Sequence, residues 1–395
     1  MELEWQDRRM LEGKFGMAAK KSIEILVALG KIYGAKKLVP VASVQVAGVS
    51  YDNLGEAGLE YLEALAMDGK ARVLAMLNPA GMDLENYAAL GISEDFAANQ
   101  KRVIGAFVKM GITPSCTCTP YFIGNKPKPK THIAWSESSA VCYANSVLGA
   151  YTNREGGPSA LASALTGKTP LYGMHLEKNR QAQVAVGVPE KLRGTEQFGA
   201  LGKATGEKIG SKIPLFIGIK KASAEELKAL CASIATYGGT SMFHAQGITA
   251  GRTAVPKEKI EITESGIKAA LASMNDNCEP DLVALGCPHL SLAELRKAAK
   301  MLDGRKVKTK TWLAVSRGVK NEAEKEGLVK MIEASGAVFA CDTCMVVAPI
   351  KGRFKCVASD SAKSCYYSRA KNKFATRTGS FEQCIRCAIS GKWEN

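Results

Sequence analysis

The sequence lacks several features that mark whole classes of protein. Its longest apolar run, near residues 23–30, is much shorter than the roughly 20 residues that span a bilayer. Acidic and basic residues crowd the start of the chain, which predicts that it does not open with a signal peptide. Neither a Walker A motif nor the glycine fingerprint of dinucleotide-binding folds is present. We therefore expect a cytoplasmic protein with no membrane partner and without those nucleotide-binding loops.

Aromatic residues and histidine are also scarce. Aromatics make up 7% of the 395 residues, and histidine occurs four times. The 53 Lys and Arg residues outnumber the 38 Asp and Glu residues, for a formal charge of +15, but they are scattered along the chain. Channels for single-stranded nucleic acid combine basic grooves with aromatic stacking platforms. We expect no nucleic-acid partner. The positive charge favours an anionic partner such as a phosphorylated metabolite or an acidic subunit, and it is also typical of a solvated, lysine-rich surface.

Strand-like and helix-like segments alternate along the chain. In the first part we expect helices and strands over residues 12–33, 39–46, 56–67, 72–77 and 94–110. In the second part we expect strands over 214–219, 282–285, 309–315 and 337–340, with helices over 224–236, 291–302 and 321–335. This alternation predicts an α/β fold with mainly parallel sheets, whose ligands bind at the carboxyl ends of the strands. Residues 172–210 are less regular, so we place the boundary between two lobes, 1–210 and 211–395, near that point.

Cysteine is abundant, with twelve residues in the chain. In a long chain without a secretion signal we expect free thiols rather than disulfides. Three cysteine neighbourhoods stand where an apolar segment meets a loop: Cys116 with Cys118, Cys287, and Cys341 with Cys344. Thiolates in such places hold iron–sulfur clusters or zinc. A further pair, Cys384 and Cys387, lies in an expected C-terminal helix and is interpreted as core.

Four polar segments are suited to an anionic ligand. They are Gly48–Gly55, Ser136–Ser139, Thr152–Pro158 and Ser359–Lys363. Hydroxyls and free N–H groups at helix starts bind anions, and Arg and Lys side chains add charge. The same residues are equally typical of helix caps and glycine turns. His289, one residue after Cys287-Pro288, is the histidine best placed to support a metal ligand.

Taken together, these segments resemble the large, catalytic subunit of the aconitase X family. The resemblance covers nearly the whole chain. The matching phrases lie at residues 48–55, 117–121, 134–140, 145–149, 152–157, 285–289, 342–347, 361–363 and 379–384. It implies an aconitase-like fold, in which three-layer α/β/α lobes with mainly parallel sheets surround a central iron–sulfur cleft.

The resemblance also implies a cofactor and a set of site residues. In such dehydratases three thiolates hold a 4Fe–4S cluster and leave one iron open as a Lewis acid. The family phrases place these ligands at Cys118, Cys287 and Cys344, rather than at Cys116 or Cys341. The remaining expected site residues are Ser136 and Glu137 in catalysis, with Ser50, Asn53, Ser138, Asn153, Arg154 and Lys363 in substrate binding. Asp360 replaces the family's usual Asn, and we expect it to point away from the substrate.

Aconitase-type enzymes close their site with a small swivelling domain that carries the base. No such segment is evident here, so the resemblance implies a separate small subunit, a heterodimer and an inactive isolated chain. The family includes two activities. One dehydrates (R)-5-phosphomevalonate to trans-anhydromevalonate 5-phosphate in the archaeal modified mevalonate pathway, and the positive charge favours it. The other activity dehydrates cis-3-hydroxy-L-proline. The alternatives from another functional class are a non-catalytic RNA-binding protein and a zinc-binding structural protein.

Overall fold

The structure is a computed structural model that describes residues 1–249, 251 and 253–394. Its helices are α1 (Trp5–Leu11), α2 (Met17–Ile32), α3 (Tyr51–Leu65), α4 (Glu94–Lys109), α5 (Ser138–Tyr143), α6 (Gly157–Thr166), α7 (Gly194–Ile209), α8 (Ala224–Tyr237), α9 (Glu264–Ala272), α10 (Leu292–Leu302), α11 (Arg317–Lys325), α12 (Leu328–Ala334), α13 (Ala362–Tyr367) and α14 (Phe381–Ser390). None of the described helices is long and apolar enough to cross a membrane.

The strands form three parallel sheets and one antiparallel pair. They are β1 (Leu38–Pro40), β2 (Ser43–Val46), β3 (Leu74–Leu77), β4 (Ala134–Trp135), β5 (Lys168–Pro170), β6 (Val184–Gly187), β7 (Pro214–Ile217), β8 (His244–Ala245), β9 (Lys259–Glu261), β10 (Leu282–Leu285), β11 (Lys310–Val315), β12 (Val338–Cys341), β13 (Cys356–Ser359) and β14 (Ala375–Thr378). The parallel sheets have the orders β3-β2-β4, β8-β7-β6-β9 and β12-β11-β10-β13-β14. Only β1 and β5 pair antiparallel among the named strands. The expected α/β fold with mainly parallel sheets is confirmed.

The strands next to the site are buried on both faces. All four residues of β2 and of β10 are buried, as are the last five of β11. Parallel strands that are covered by helices on both faces have nearly continuous apolar sequences. Such apolar runs predicted the positions of β10 and β11 closely. The two-lobe division stays a prediction, and the β8-β7-β6-β9 sheet takes strands from both sides of residue 210.

Three expected elements are shorter or divided in the structure. The helix expected over residues 12–33 begins only at Met17, because Gly16 lies at φ 92° and the carboxylate of Asp68 accepts the N–H of Met17 at 2.5 Å and of Ala18 at 3.0 Å. Similarly, the helix expected over 321–335 is α11 and α12, separated by Gly327 at φ 74°. The strand expected over 39–46 is also two strands, β1 and β2, which belong to different sheets.

The segment over residues 172–210, interpreted as irregular, contains β6 and the 16-residue helix α7. Its glycines do not mark a loop. They allow α7 to approach α8 closely, because a Cβ added at Gly202 would lie 2.7 Å from Cβ of Ser233. At Gly206 an added Cβ would lie 2.7 Å from the backbone nitrogen of Gly238. Glycine lowers helix propensity, so the sequence of this segment gave no clear helical pattern.

The expectation of free thiols throughout is also corrected. Cys278 and Cys356 are joined by a disulfide with an S–S distance of 2.14 Å across 78 positions. The other ten cysteines are free and buried. Cys384 and Cys387 lie in the buried face of α14, as expected.

Candidate functional site

The site forms where the loops after the strands of two parallel sheets meet. In the β3-β2-β4 sheet, Asn78 follows β3, and Ser136 and Glu137 follow β4. In the five-stranded sheet, Cys287 follows β10, Cys344 follows β12 and Lys363 follows β13. All these loops lie at the carboxyl ends of parallel strands, the edge at which α/β folds bind ligands.

The three thiols predicted as ligands lie together. Burial raises the pKa of Cys118 to about 12, and the nearby charges of Glu137 and Cys344 act in the same direction. Burial also raises the pKa of Cys287, and the neighbouring Cys344 and Cys118 raise it further. Buried thiolates that repel one another are stabilised by a bound cation, because metal binding deprotonates a thiol outright. This donor set therefore fits an iron–sulfur cluster.

Each of the three sulfurs has a hydrogen-bond donor. The backbone N–H of His289 donates to Sγ of Cys118 at 3.2 Å. The hydroxyl of Ser361 donates to the thiol of Cys287. The backbone N–H groups of Val346 and Val347 lower the pKa of the Cys344 thiol, against the effect of burial. Such bonds lower the pKa of a thiol and so favour the thiolate that a metal needs.

Cys116 and Cys341 have different surroundings. Both are fully buried. The charges near each are Asp342 and Arg317, with Asp83 also beside Cys341, whereas Lys363 stands near Cys118, Cys287 and Cys344. The carboxylates raise the pKa of both thiols beyond the effect of burial. The structure thus separates the five loop cysteines into two environments.

Within the described ranges, no three His, Cys, Asp or Glu side chains converge on a point suited to one metal ion. A multi-iron cluster does not require such convergence, because each of its thiolate ligands binds a different iron atom.

Glu137 and Lys363 form a buried ion pair beside these thiols. Burial alone would raise the pKa of Glu137, but the Lys363 ammonium and the hydrogen bond from Nδ2 of Asn78, 2.9 Å long, lower it to about 2. The pKa of Lys363 is raised, against the effect of burial, by Glu137 and by Cys287. Both side chains are therefore charged at neutral pH, and Glu137 acts as an acceptor.

Three buried polar atoms on this side of the site have no partner in the described part of the chain. They are Oγ of Ser50, Oγ of Ser136 and Oδ1 of Asn78. Gly81 leaves room beside Ser50, because a Cβ there would lie 2.5 Å from Oγ. Buried polar atoms in native proteins are almost always hydrogen-bonded, so unpaired ones suit a polar ligand.

The other predicted substrate-binding residues are placed differently. Ser138 lies at the start of α5, with Oγ 3.4 Å from Oε1 of Glu137. Asn153 donates to the carbonyl of Tyr172 at 3.2 Å and accepts from the N–H of Met174 at 2.8 Å. Asn53 is exposed and borders a mainly apolar cavity of about 490 Å³ beside α3 and α6. Arg154 is also exposed. The structure brings Ser136, Glu137, Ser138 and Lys363 together, and leaves Asn53, Asn153 and Arg154 outside the described contacts of that group.

Sequence reasoning missed two residues of the site. Asn78 was interpreted as part of a turn, although it follows a strand and contacts Glu137. Gln100, in α4, accepts the N–H groups of Tyr51 and Gly81 at 3.0 Å each, and donates to the carbonyl of Val49 at 2.9 Å. It holds the loops of Ser50 and Asn78 together, and no local pattern in α4 signals this role.

The carboxylate of Asp360, which we expected to point away from the substrate, accepts a hydrogen bond from the hydroxyl of Thr195 at 2.8 Å.

Known proteins resemble this chain over nearly its whole length. Models of the aconitase X first, second and third domains match residues 1–178, 182–272 and 280–390. A Methanosarcina mazei protein named phosphomevalonate dehydratase large subunit is 44% identical over 397 residues, covering 99% of this chain and 98% of that protein. A protein of the same name from Methanothermobacter thermautotrophicus is 46% identical, covering 92% and 93%.

A solved structure agrees in fold. The crystal structure of Thermococcus kodakaraensis aconitase X in its holo form has a TM-score of 0.91 at 41% identity, covering 98% of this chain and 100% of that one. A more distant relative, named cis-3-hydroxy-L-proline dehydratase, from Hypocrea jecorina, is 32% identical, and the match covers all of this chain but 70% of that protein. The fold and these similarities show that the chain belongs to the aconitase X family.

Proposed function

We propose that this chain is the large subunit of a phosphomevalonate dehydratase. The reaction is the loss of water from (R)-5-phosphomevalonate to give trans-anhydromevalonate 5-phosphate, a hydro-lyase step. The observation that carries the proposal is the similarity, over 99% and 92% of this chain, to two proteins named as large subunits of that enzyme. The net charge of +15 and the Lys363 ammonium suit a substrate with both a phosphate and a carboxylate.

Cys118, Cys287 and Cys344 would hold a 4Fe–4S cluster. Their burial, their proximity and the donor to each sulfur support this assignment. When bound, the cluster supplies an iron that acts as a Lewis acid toward the substrate hydroxyl. The chain itself provides the buried surroundings in which such an effect is strong.

The remaining residues of the site would bind and orient the substrate. Lys363 offers a point charge to a carboxylate or phosphate oxygen. Glu137, ionised because its pKa is about 2, accepts a hydrogen bond from a substrate hydroxyl and does not donate a proton near neutral pH. Ser50 and Ser136 contribute the hydroxyls that have no partner in the described chain. Ser138, beside Glu137, would add a further hydroxyl. Asn53, Asn153 and Arg154, which lie outside this group, would contact the substrate only when the site closes.

The partner in this proposal is a small subunit that carries the base and closes the site. The relatives' names, large subunits, imply such a partner, and the longer Hypocrea protein extends beyond its match to this chain. A lid that also supplies a catalytic residue couples substrate closure to chemistry. We therefore expect a heterodimer in which neither subunit is active alone.

The test is turnover by the complex. The chain is co-expressed with its small-subunit candidate, purified without oxygen with iron and sulfide, and incubated with phosphomevalonate under phosphorus NMR. We expect a new alkene-bearing phosphate from the complex and none from the isolated large subunit. A matched complex with Lys363→Met controls for contaminating enzymes, and it should be inactive.

The same preparation distinguishes the alternatives. A brown complex that leaves phosphomevalonate unchanged but dehydrates cis-3-hydroxy-L-proline would transfer the assignment to that activity, the name of the more distant relative. A colourless complex that contains zinc would contradict the iron–sulfur assignment. Salt-sensitive RNA binding without turnover of either compound would contradict the enzyme assignment itself.

A further inference from the structure

His289 contacts all three cysteine loops at once. It belongs to the loop of Cys287, two residues further along the chain. Its ring nitrogen Nδ1 lies 3.1 Å from Oγ1 of Thr117, the residue before Cys118. Its other ring nitrogen, Nε2, lies 2.9 Å from the carbonyl oxygen of Thr343, the residue before Cys344. One imidazole therefore links the residues adjacent to two thiols with the loop of the third.

The chemistry of the two partners gives each ring nitrogen a role. A carbonyl oxygen only accepts, so Nε2 carries the proton and donates to Thr343. The hydroxyl of Thr117 also accepts the backbone N–H of Thr119 at 3.1 Å and lies 3.2 Å from Oγ1 of Thr119. When the Thr119 hydroxyl donates in that contact, the proton of Thr117 is donated to Nδ1 of His289. Both ring nitrogens of His289 therefore have a hydrogen-bond partner.

The backbone of His289 is held as firmly as its ring. Its N–H donates to Sγ of Cys118 at 3.2 Å, and its carbonyl accepts from Nζ of Lys228 at 3.0 Å. Lys228 is itself buried and pairs with Glu294 at 2.6 Å. His289 is completely buried and uses four polar atoms in four directions. Hydrogen bonds from one buried residue to several loops couple the positions of those loops.

We propose that His289 is a positioning residue that holds the Cys118, Cys287 and Cys344 loops in one arrangement. The ring ties the loops of Cys118 and Cys344 to that of Cys287, and this keeps the His289 N–H directed at the sulfur of Cys118. The inference rests on the proposed function only for the identity of what the thiols bind. The hydrogen bonds that link the loops belong to the chain itself.

The first test uses the chain without any cluster. The alkylation rate of each cysteine is measured by mass spectrometry in the wild type, in His289→Gln and in Thr117→Val. Thr117→Ser keeps the hydroxyl and serves as the conservative variant, and His175→Gln alters another buried histidine, which contacts His132 instead. We expect faster alkylation of Cys118, Cys287 and Cys344 in His289→Gln, and faster alkylation of Cys118 in Thr117→Val. The rates of Cys231 and Cys384, and those of the two control variants, should not change.

The second test uses the cluster-loaded complex and measures how fast iron is lost to a chelator. Partners that orient metal ligands are worth about 10- to 100-fold in metal affinity. We expect His289→Gln and Thr117→Val to lose iron about tenfold faster than the wild type and Thr117→Ser at the wild-type rate. Thr117→Val is close to isosteric, so it remains informative if His289→Gln does not fold.

The outcomes separate this inference from the proposed function. Wild-type alkylation and iron-loss rates in His289→Gln or Thr117→Val would overturn it, as would faster alkylation spread over all ten free cysteines. If His289→Gln exposed Cys118 alone, the link to Thr343 would be refuted. If the wild type held no iron and sulfide, the proposed cofactor would fail, while the alkylation pattern would still decide the role of His289.

Discussion

The carboxylate of Glu137 and the ammonium of Lys363 form an ion pair between residues 226 positions apart in the chain. Glu137 follows β4 of one parallel sheet, and Lys363 lies in the first turn of α13, after β13 of another. The pair spans the junction between these two sheet edges, beside the three clustered thiols. Neither sheet alone contains all the residues of the site. The ion pair is one of the contacts that join the two halves of the site.

Breaking this pair should destabilise the fold strongly. Removal of one partner from a buried pair leaves an uncompensated charge and costs about 3–5 kcal/mol. We expect that loss in Glu137→Gln and in Lys363→Met, measured by urea unfolding, and a smaller loss in the double variant than the sum of the two. The exposed pair of Lys220 and Glu190 is the control, and its disruption should cost about 0–1 kcal/mol.

The same pair predicts a pH dependence. The pKa of Glu137 is about 2 in the folded chain and 4.5 ordinarily. Its ionised form therefore stabilises the fold above pH 4.5, and that contribution is lost as the pH falls from 4.5 through about 2. The wild type should lose unfolding free energy more steeply than Glu137→Gln between pH 5.5 and about 3. Equal slopes would show that Glu137 is not held in its charged form.

Asn78 should be needed for activity although it was not predicted from sequence. Asn78→Ala removes the hydrogen bond to Oε2 of Glu137 and the unpaired Oδ1. A hydrogen bond to a charged group is worth about 1.5–3 kcal/mol, so kcat/KM of the complex should fall about 10- to 100-fold. Asn179→Ala, at an exposed position that bonds the carbonyl of Gly173, is the control. An unchanged kcat/KM in Asn78→Ala would exclude Asn78 from the site.

The glycines of α7 should tolerate no side chain at the contact with α8. In Gly202→Ala the new Cβ would meet Cβ of Ser233 at 2.7 Å and the backbone nitrogen of Ile234 at 2.9 Å. Overpacking of this kind costs about 1–3 kcal/mol. Gly105→Ala in α4, where nothing lies within 4 Å, should instead stabilise the chain by about 1 kcal/mol. Thermal unfolding of both variants tests the comparison, and a stable Gly202→Ala would mean that the two helices are farther apart.

The sequence predicted those parts of the fold that depend on local patterns. Strands β10 and β11 were located within a residue because both are buried apolar runs. The break before α2 was missed because its cap, Asp68, lies about 50 positions away. Helix α7 was missed because its glycines serve a contact with another helix, and a glycine's partner cannot be read from its own neighbours.

The candidate site also has residues that local motifs identify and contacts that depend on distant partners. Cys118, Cys287, Cys344, Glu137 and Lys363 were identified through family phrases, and the structure places them near one another. The bond between Asn78 and Glu137 joins residues 59 positions apart, and the disulfide of Cys278 and Cys356 joins residues 78 apart. Such pairings follow from the order of strands in the sheets, which no short motif reports.

The most direct measurement of the central claim is the iron and sulfide content of five single variants of the complex. The account predicts that Cys118→Ser, Cys287→Ser and Cys344→Ser each abolish the brown colour and the bound iron. Cys116→Ser and Cys341→Ser, whose thiols lie beside Asp342 and Arg317 instead, should retain both. Loss of the cluster in Cys116→Ser or Cys341→Ser, with retention in the corresponding Cys118→Ser or Cys344→Ser, would contradict it.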